Sequence, residues 1–140
     1  MLTRAQINRA INDKIKAEFA GIPIQSSDVE EGFLRPSFFV SLETRRAESE
    51  QHFLYRDLTC RIRFFPTSEN QYKEEVYNVQ DRLEQLFGLN FAAGNQFITI
   101  DAAETDVYDK VLHYDFEFSC VESIAVKEDG DIMEELVYND

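Results

Sequence analysis

The sequence predicts an α+β fold: an antiparallel-rich sheet with two helices packed on one face and a long protruding hairpin. Two segments repeat apolar residues at spacings of three and four, the period of a helix with one buried face. Other segments alternate apolar and polar residues, the period of a strand with one buried face. The order is helix, strands, helix, strands, with short connections, which suits helices gathered on one side of an antiparallel sheet.

The first helix is predicted over residues 3–19. Thr3 and Gln6 have the spacing of a capping box, Ile7, Ile11, Ile15 and Phe19 share a face with Ala10 beside them, and Gly21 and Pro23 stop the helix. A short strand is expected over 22–26, then an acidic turn over 28–32. Phe38, Val40 and Leu42 alternate with Phe39 and Ser41, so 36–42 reads as a strand, opened by Pro36. The polar stretch 43–51 has neither Gly nor Pro and reads as the partly extended tip of a long hairpin. Its return strand, 53–65, sets Leu54, Leu58, Cys60, Ile62 and Phe64 on one parity and Tyr55, Asp57, Thr59, Arg61 and Arg63 on the other. At about 3.3 Å per residue this strand spans about 43 Å, too long for a compact domain of this size to cover.

A second capping box, Ser68 with Gln71, is expected to open a helix whose face is Val76, Val79, Leu83, Leu86 and Phe87, with Gly88 as its stop. Residues 90–95 read as a loop and 97–100 as a short strand. The clearest strand follows: Leu112, Tyr114, Phe116, Phe118 and Cys120 alternate with His113, Asp115, Glu117 and Ser119. The helices should meet the sheet through Ile7, Ile11, Ile15, Val76, Val79 and Leu83. One domain is expected over 1–126, followed by an acidic tail over 127–140. In that tail Ile132, Met133, Leu136 and Val137 have the spacing of one or two helical turns.

With 140 residues, 44% of them hydrophobic, and 12 Phe, the chain is long and apolar enough to bury a core. No apolar run approaches a membrane span and no signal-like segment opens the chain, so a soluble cytoplasmic protein without membrane contact is expected. Cys60 and Cys120 stand far apart with no CxxC pattern, which argues against zinc-knuckle and disulfide-framework classes. The net charge of −13 opposes specific nucleic-acid binding, which needs a basic face. Nearly all of the excess lies in residues 101–140, with 13 acids against 2 bases.

Phosphate-loop, hydrolase, zinc-protease and EF-hand motifs are all missing. His113, Asp115 and Glu117 share one strand face, yet a metal would want a second histidine, and His52 is placed at the far hairpin tip. No catalytic residue, metal or other cofactor is therefore predicted. Arg45, Arg46, Arg56, Arg61 and Arg63 form the one dense basic group. They either pair with acids of their own hairpin, such as Glu43, Glu48, Glu50 and Asp57, or meet the acidic C-terminal third of a neighbouring copy as a subunit interface. A protruding hairpin and a one-sided charge split are what a head-to-tail ring would use, and Asp101, Glu104, Asp106, Asp109, Asp115 and Glu117 are the candidates for an acidic lining of its bore.

The stretch Gly32-Phe33-Leu34-Arg35-Pro36-Ser37-Phe38-Phe39-Val40, followed by Arg61-Ile62-Arg63-Phe64-Phe65-Pro66 and Val111-Leu112-His113-Tyr114-Asp115-Phe116, resembles the tail terminator family of phages and phage-like elements of Gram-positive bacteria. The resemblance covers about residues 1–124. It implies a structural virion protein, made in the host cytoplasm, that closes the head-proximal end of the tail tube as a six-subunit ring and presents a surface to the neck. Its partners would be further copies of itself, the tail tube protein and a neck or head-completion protein, with DNA passing through the ring. It supplies no catalytic residues. Gly32, Arg35 and Pro36 match its most recognisable stretch, in a structural role. Two other readings stay open: another neck or head-completion subunit, and an acidic inhibitor or immunity-type protein for a basic enzyme.

Overall fold

The computed structural model describes residues 2–25, 35–68 and 70–123. Helix α1 spans Arg4–Glu18, and its N-terminus is closed as the sequence predicts. The Gln6 amide donates to Thr3 Oγ1 at 3.1 Å and the Thr3 amide donates to Gln6 Oε1 at 2.8 Å. That reciprocal pair satisfies backbone donors that a helix start otherwise leaves without partners. Ile7, Ile11 and Ile15 are fully buried, and Phe19 follows them onto the sheet, its ring centroid 4.9 Å from that of Phe38.

The strands are β1 (Ile24–Gln25), β2 (Ser37–Ser49), β3 (Phe53–Phe65), β4 (Asn90–Ala93), β5 (Gln96–Tyr108) and β6 (Val111–Ser123), with helix α2 (Lys73–Phe87) between β3 and β4. They form one sheet in the order β1-β2-β3-β6-β5-β4. Among the described residues only the two-residue β1 pairs in parallel, against Phe38 and Phe39; the other pairings are antiparallel. Both helices lie on one face, and all six contact residues expected from spacing are buried there: Ile7, Ile11, Ile15, Val76, Val79 and Leu83. The sheet contributes Phe38, Leu58, Cys60, Ile62, Phe64, Leu112, Tyr114, Phe116 and Phe118 to the same core. Arg82 locks the helices together, donating through Nε to Glu18 at 2.8 Å and lying 4.3 Å over the Phe19 ring.

The long hairpin is more regular than its polar composition predicts. Its ladder continues to Ser49 opposite Leu54, leaving only residues 50–52 as the tip, while everything from Glu43 to Phe53 is exposed. A register shift between Thr44 and Arg46 accommodates one extra residue. The second helix starts later than Ser68 and Gln71 predict. Ser68 Oγ accepts from the Asn70 and Gln71 amides, but this turn precedes the helix, whose N-cap Tyr72 makes no side-chain cap. Glu75 of the first turn instead reaches back and accepts from the Thr67 amide and hydroxyl.

The loop expected over 90–95 is mostly strand. Phe91 and Ala93 point inward, Phe91 meeting the rings of Phe87, Phe116 and Phe118, and Gly94 at φ 58° begins the turn into β5. Four residues are too few to show a period, so packing made the strand. The strand expected over 97–100 continues to Tyr108, because 101–106 are exposed and carry no apolar alternation to reveal it. Asp109 and Lys110, both with positive φ, make the tight turn into β6. Ser26, the acidic turn over 28–32, Gly32 and the tail over 127–140 lie outside the described residues.

Candidate functional site

Alternation along β3, β5 and β6 gives the sheet a second face, uncovered by the described residues, and most of the singled-out charged residues meet there. Opposite the core parity of β6 stand His113, Asp115, Glu117 and Ser119, and the antiparallel register sets Arg63 beside His113, Arg61 beside Asp115, Thr59 beside Glu117 and Asp57 beside Ser119. On the other flank β5 sets Asp106 beside His113, Glu104 beside Asp115 and Ala102 beside Glu117. A second register shift, between Ile100 and Ala102, leaves Asp101 near Ser119, their side-chain oxygens 3.5 Å apart. Asp109 does not join this face; it belongs to the β5–β6 turn.

Four of the five arginines are on the same face, engaged within the subunit. Arg61 donates to Asp115 Oδ2 at 2.9 Å and pairs with Glu43 at 3.0 Å. Arg46 pairs with Glu48 at 2.8 Å, and Arg45 lies 3.9 Å from Glu117. Arg63 Nε donates to His113 Nδ1 at 3.2 Å, which requires that nitrogen to be unprotonated. The His113 pKa lies below its ordinary value, lowered first by burial and then by the Arg63 charge, against the opposite pull of Asp115 and Asp106. His113 and Asp115 are thus both held by arginines. An open groove of about 630 Å³ runs along Glu104, Asp106, Tyr108, His113 and Asp115.

Arg56 departs from the expected group. It sits on the core parity of β3, 2% exposed, 3.6 Å from the equally enclosed Glu122 of β6, and it donates to the Leu2 carbonyl. Its guanidinium is consumed inside the subunit, which removes it from any surface contact. The signal was present in the sequence: Arg56 falls between Leu54 and Leu58, and Glu122 follows Cys120, both on the apolar parity. A charge at a core position of one strand needs an opposite charge on its neighbour. At 3.6 Å the pair is an ion contact without a hydrogen bond, and among the described residues Arg56 Nε and Glu122 Oε2 have no hydrogen-bond partner.

Arg35 Nη1 donates to the Pro66 carbonyl at 3.2 Å and the guanidinium lies 5.7 Å from the Phe65 ring centroid, tying the entry of β2 to the exit of β3. The Arg35–Pro36 peptide is cis, and the strand starts one residue later, at Ser37. Cys60 and Cys120 are both free and buried, and burial raises the pKa of each thiol, most strongly at Cys60. No described helix is long and apolar enough to cross a membrane.

The open sheet edges were not anticipated in detail. β1 covers β2 only at Phe38 and Phe39, and β4 covers β5 only from Gln96 to Thr99. Among the described residues, the outer edges of β2 from Val40 to Ser49 and of β5 from Asp101 to Tyr108 have no strand against them.

Comparison with known proteins identifies a family. The profile described as Phage tail terminator protein matches residues 6–130. None of the curated proteins matches. Among solved structures, one chain of the virion of a native gene transfer agent particle aligns with TM-score 0.45 and 10% identity, covering 87% of this chain and 100% of that one.

Proposed function

The chain belongs to the phage tail terminator proteins, and from that premise we propose that six copies close into a ring on the head-proximal end of the tail tube and offer a surface to the neck. Its role is structural, in the tail of a virion. The observation that carries the ring is the pair of long edges on opposite sides of one sheet that are open among the described residues, β2 on one flank and β5 on the other. Open edges seek backbone partners. Because the two edges differ in sequence, a contact between them is heterologous, and heterologous contacts that close make rings.

Arg45, Arg46, Arg61 and Arg63 serve this reading as interface residues, exchanging or sharing their present partners with acids of the next copy; Arg56 has no part in it. Asp101, Glu104, Asp106, Asp115 and Glu117 share one face, which makes them a coherent candidate for the bore. Carboxylates facing a passing DNA chain repel it, and the arginines that share the face are already held by Glu43, Glu48, Asp115, Glu117 and His113, which leaves them little free charge to hold it. The assay is assembly in a host. Removing the gene should leave tails of irregular or excessive length that fail to join heads, restored by the wild-type gene in trans. Normal tails joined to heads would refute the terminator role.

A further inference from the structure

Both register shifts of the sheet abut a single row of residues. Thr44 of β2, Leu58 of β3, Phe118 of β6 and Ile100 of β5 stand side by side, and the residues that follow Thr44 and Ile100, Arg45 and Asp101, stand outside the ladder. A bulge bends its strand and raises the local twist, so two of them against one row crease the sheet there. The aromatic core ends at the same row. Leu58 and Phe118 are fully buried, whereas the next core-parity residues of their strands are Arg56 and Cys120, followed by Glu122. Past the crease β2, β3 and β6 continue together as an arm, residues 46–49, 53–57 and 119–123, while β5 is paired with β4 over 96–99.

Residues 2–4 cross this crease. Leu2 is 5% exposed and touches both branches of the sheet. On one side is the β4–β5 turn, where a Cβ at Gly94 would stand 3.2 Å from Leu2 Cδ1; on the other is the arm, where Arg56 donates to the Leu2 carbonyl. Arg56 also lies 3.6 Å from Glu122, so the group that grips Leu2 is itself tied to two strands of the arm. Arg4 Nε donates to Thr44 Oγ1 at 2.8 Å, on the crease row itself. Thr3, between them, caps α1, whose Ile7, Ile11 and Ile15 are fully buried in the body of the subunit. The segment is therefore anchored in the body and held by the arm.

We propose that residues 2–4 are a strap that fixes the angle of the arm, and that releasing the strap lets the arm turn as a unit about the crease. The bulges are where such a turn belongs, because their extra residues lie outside the ladder and a change of twist there breaks no ladder pair. The hold on the Leu2 carbonyl uses a charged donor in an enclosed place, where a hydrogen bond is strong. The hairpin tip, residues 50–52, lies about 20 Å beyond the crease at about 3.3 Å per residue. A turn of about 20°, the ordinary twist between neighbouring strands, carries that tip about 7 Å. Arg46 and Glu48 ride on the arm, so in the six-copy ring, the reading on which this consequence rests, the strap sets the angle at which they reach the next copy.

The test is a distance measured in dilute full-length subunits with nitroxide labels at Gln51→Cys, on the tip, and Gln85→Cys, on the exposed side of α2; Cys60 and Cys120 are buried and escape labelling. With the strap intact the distance distribution should hold one peak. Leu2→Ala with Arg4→Ala should add a population displaced by about 5 Å or more, while the Glu48 and Tyr55 amides, paired within the arm, keep their slow exchange. Arg4→Ala with Thr44→Val leaves Leu2 seated and should add the same population to a smaller extent. Ile62→Ala weakens the core without touching the strap and should keep the single peak. A single unmoved peak in both strap variants, the same new population in Ile62→Ala, or fast exchange at Glu48 and Tyr55 would overturn the proposal, the last because the arm would then be fraying and not turning. Because the labels report on one subunit, an unmoved peak leaves the ring reading intact, and normal tails without the gene leave the strap intact.

Discussion

The two faces of the sheet are made by alternate residues of the same strands, yet they are different materials. The covered face is a packed set of rings: Phe38 against Phe64 at 5.0 Å, Phe87 against Phe116 at 5.0 Å, and Phe91 against Phe118 at 5.4 Å. The open face is a lattice of arginines and carboxylates with side chains a quarter to two-thirds exposed. Burial of the first removes apolar area from water and stabilises the subunit. The second is solvated, so its ion pairs add little to stability, but they remain exchangeable with a neighbour. The covered face therefore explains why the chain folds, and the proposed contacts with other tail subunits fall to the open face.

That contrast is broken most directly by truncating the core. Phe116→Ala should cost about 3–5 kcal/mol, read from the midpoint of chemical denaturation, whereas Asp115→Ala, one residue along the same strand, should cost less than about 1 kcal/mol. Equal losses would dissolve the distinction. The buried Arg56–Glu122 pair is the exception on the covered face and should behave as a core feature. Arg56→Met alone strands the Glu122 charge and should cost about 3–5 kcal/mol, while Arg56→Met with Glu122→Leu should recover most of the loss.

On the open face, Arg61→Ala should shift subunit stability by less than about 1 kcal/mol, and less still at high salt. Arg45→Glu with Arg46→Glu should leave the monomer folded and weaken assembly more at low salt than at high salt, measured by native mass spectrometry. Smallest is the His113 effect. Its folded pKa lies below the ordinary 6.5, so the folded state binds this proton less readily than the unfolded chain. Its contribution to stability is fully present above about pH 6.5 and is lost as pH falls through the folded value. Arg63→Gln should raise the His113 pKa toward 6.5 in an imidazole proton titration, sharpening the view that the lattice sets it.

The parts of this architecture legible in the sequence are those where one residue's neighbours along the chain settle its environment. Thr3 and Gln6 close a helix start within one turn. Ile7, Ile11 and Ile15, or Leu112, Tyr114, Phe116 and Phe118, declare a buried face by their period alone, because a regular helix or strand fixes the direction of each side chain. The outward parity of Asp115, Glu117, Arg61 and Arg63 was readable in the same way, and with it most of the candidate site. What period cannot carry is which strand lies beside which. Only the order β3-β6-β5 brings Arg61 to Asp115, Arg63 to His113 and the inward-parity Arg56 to Glu122, residues more than forty apart in sequence. The strand over 90–93 and the long run of β5 escaped for a related reason. Their residues are too few or too exposed to show alternation, and it is the hydrogen-bonding neighbour, Phe91 against Ile98 and Glu104 against Asp115, that makes each of them a strand.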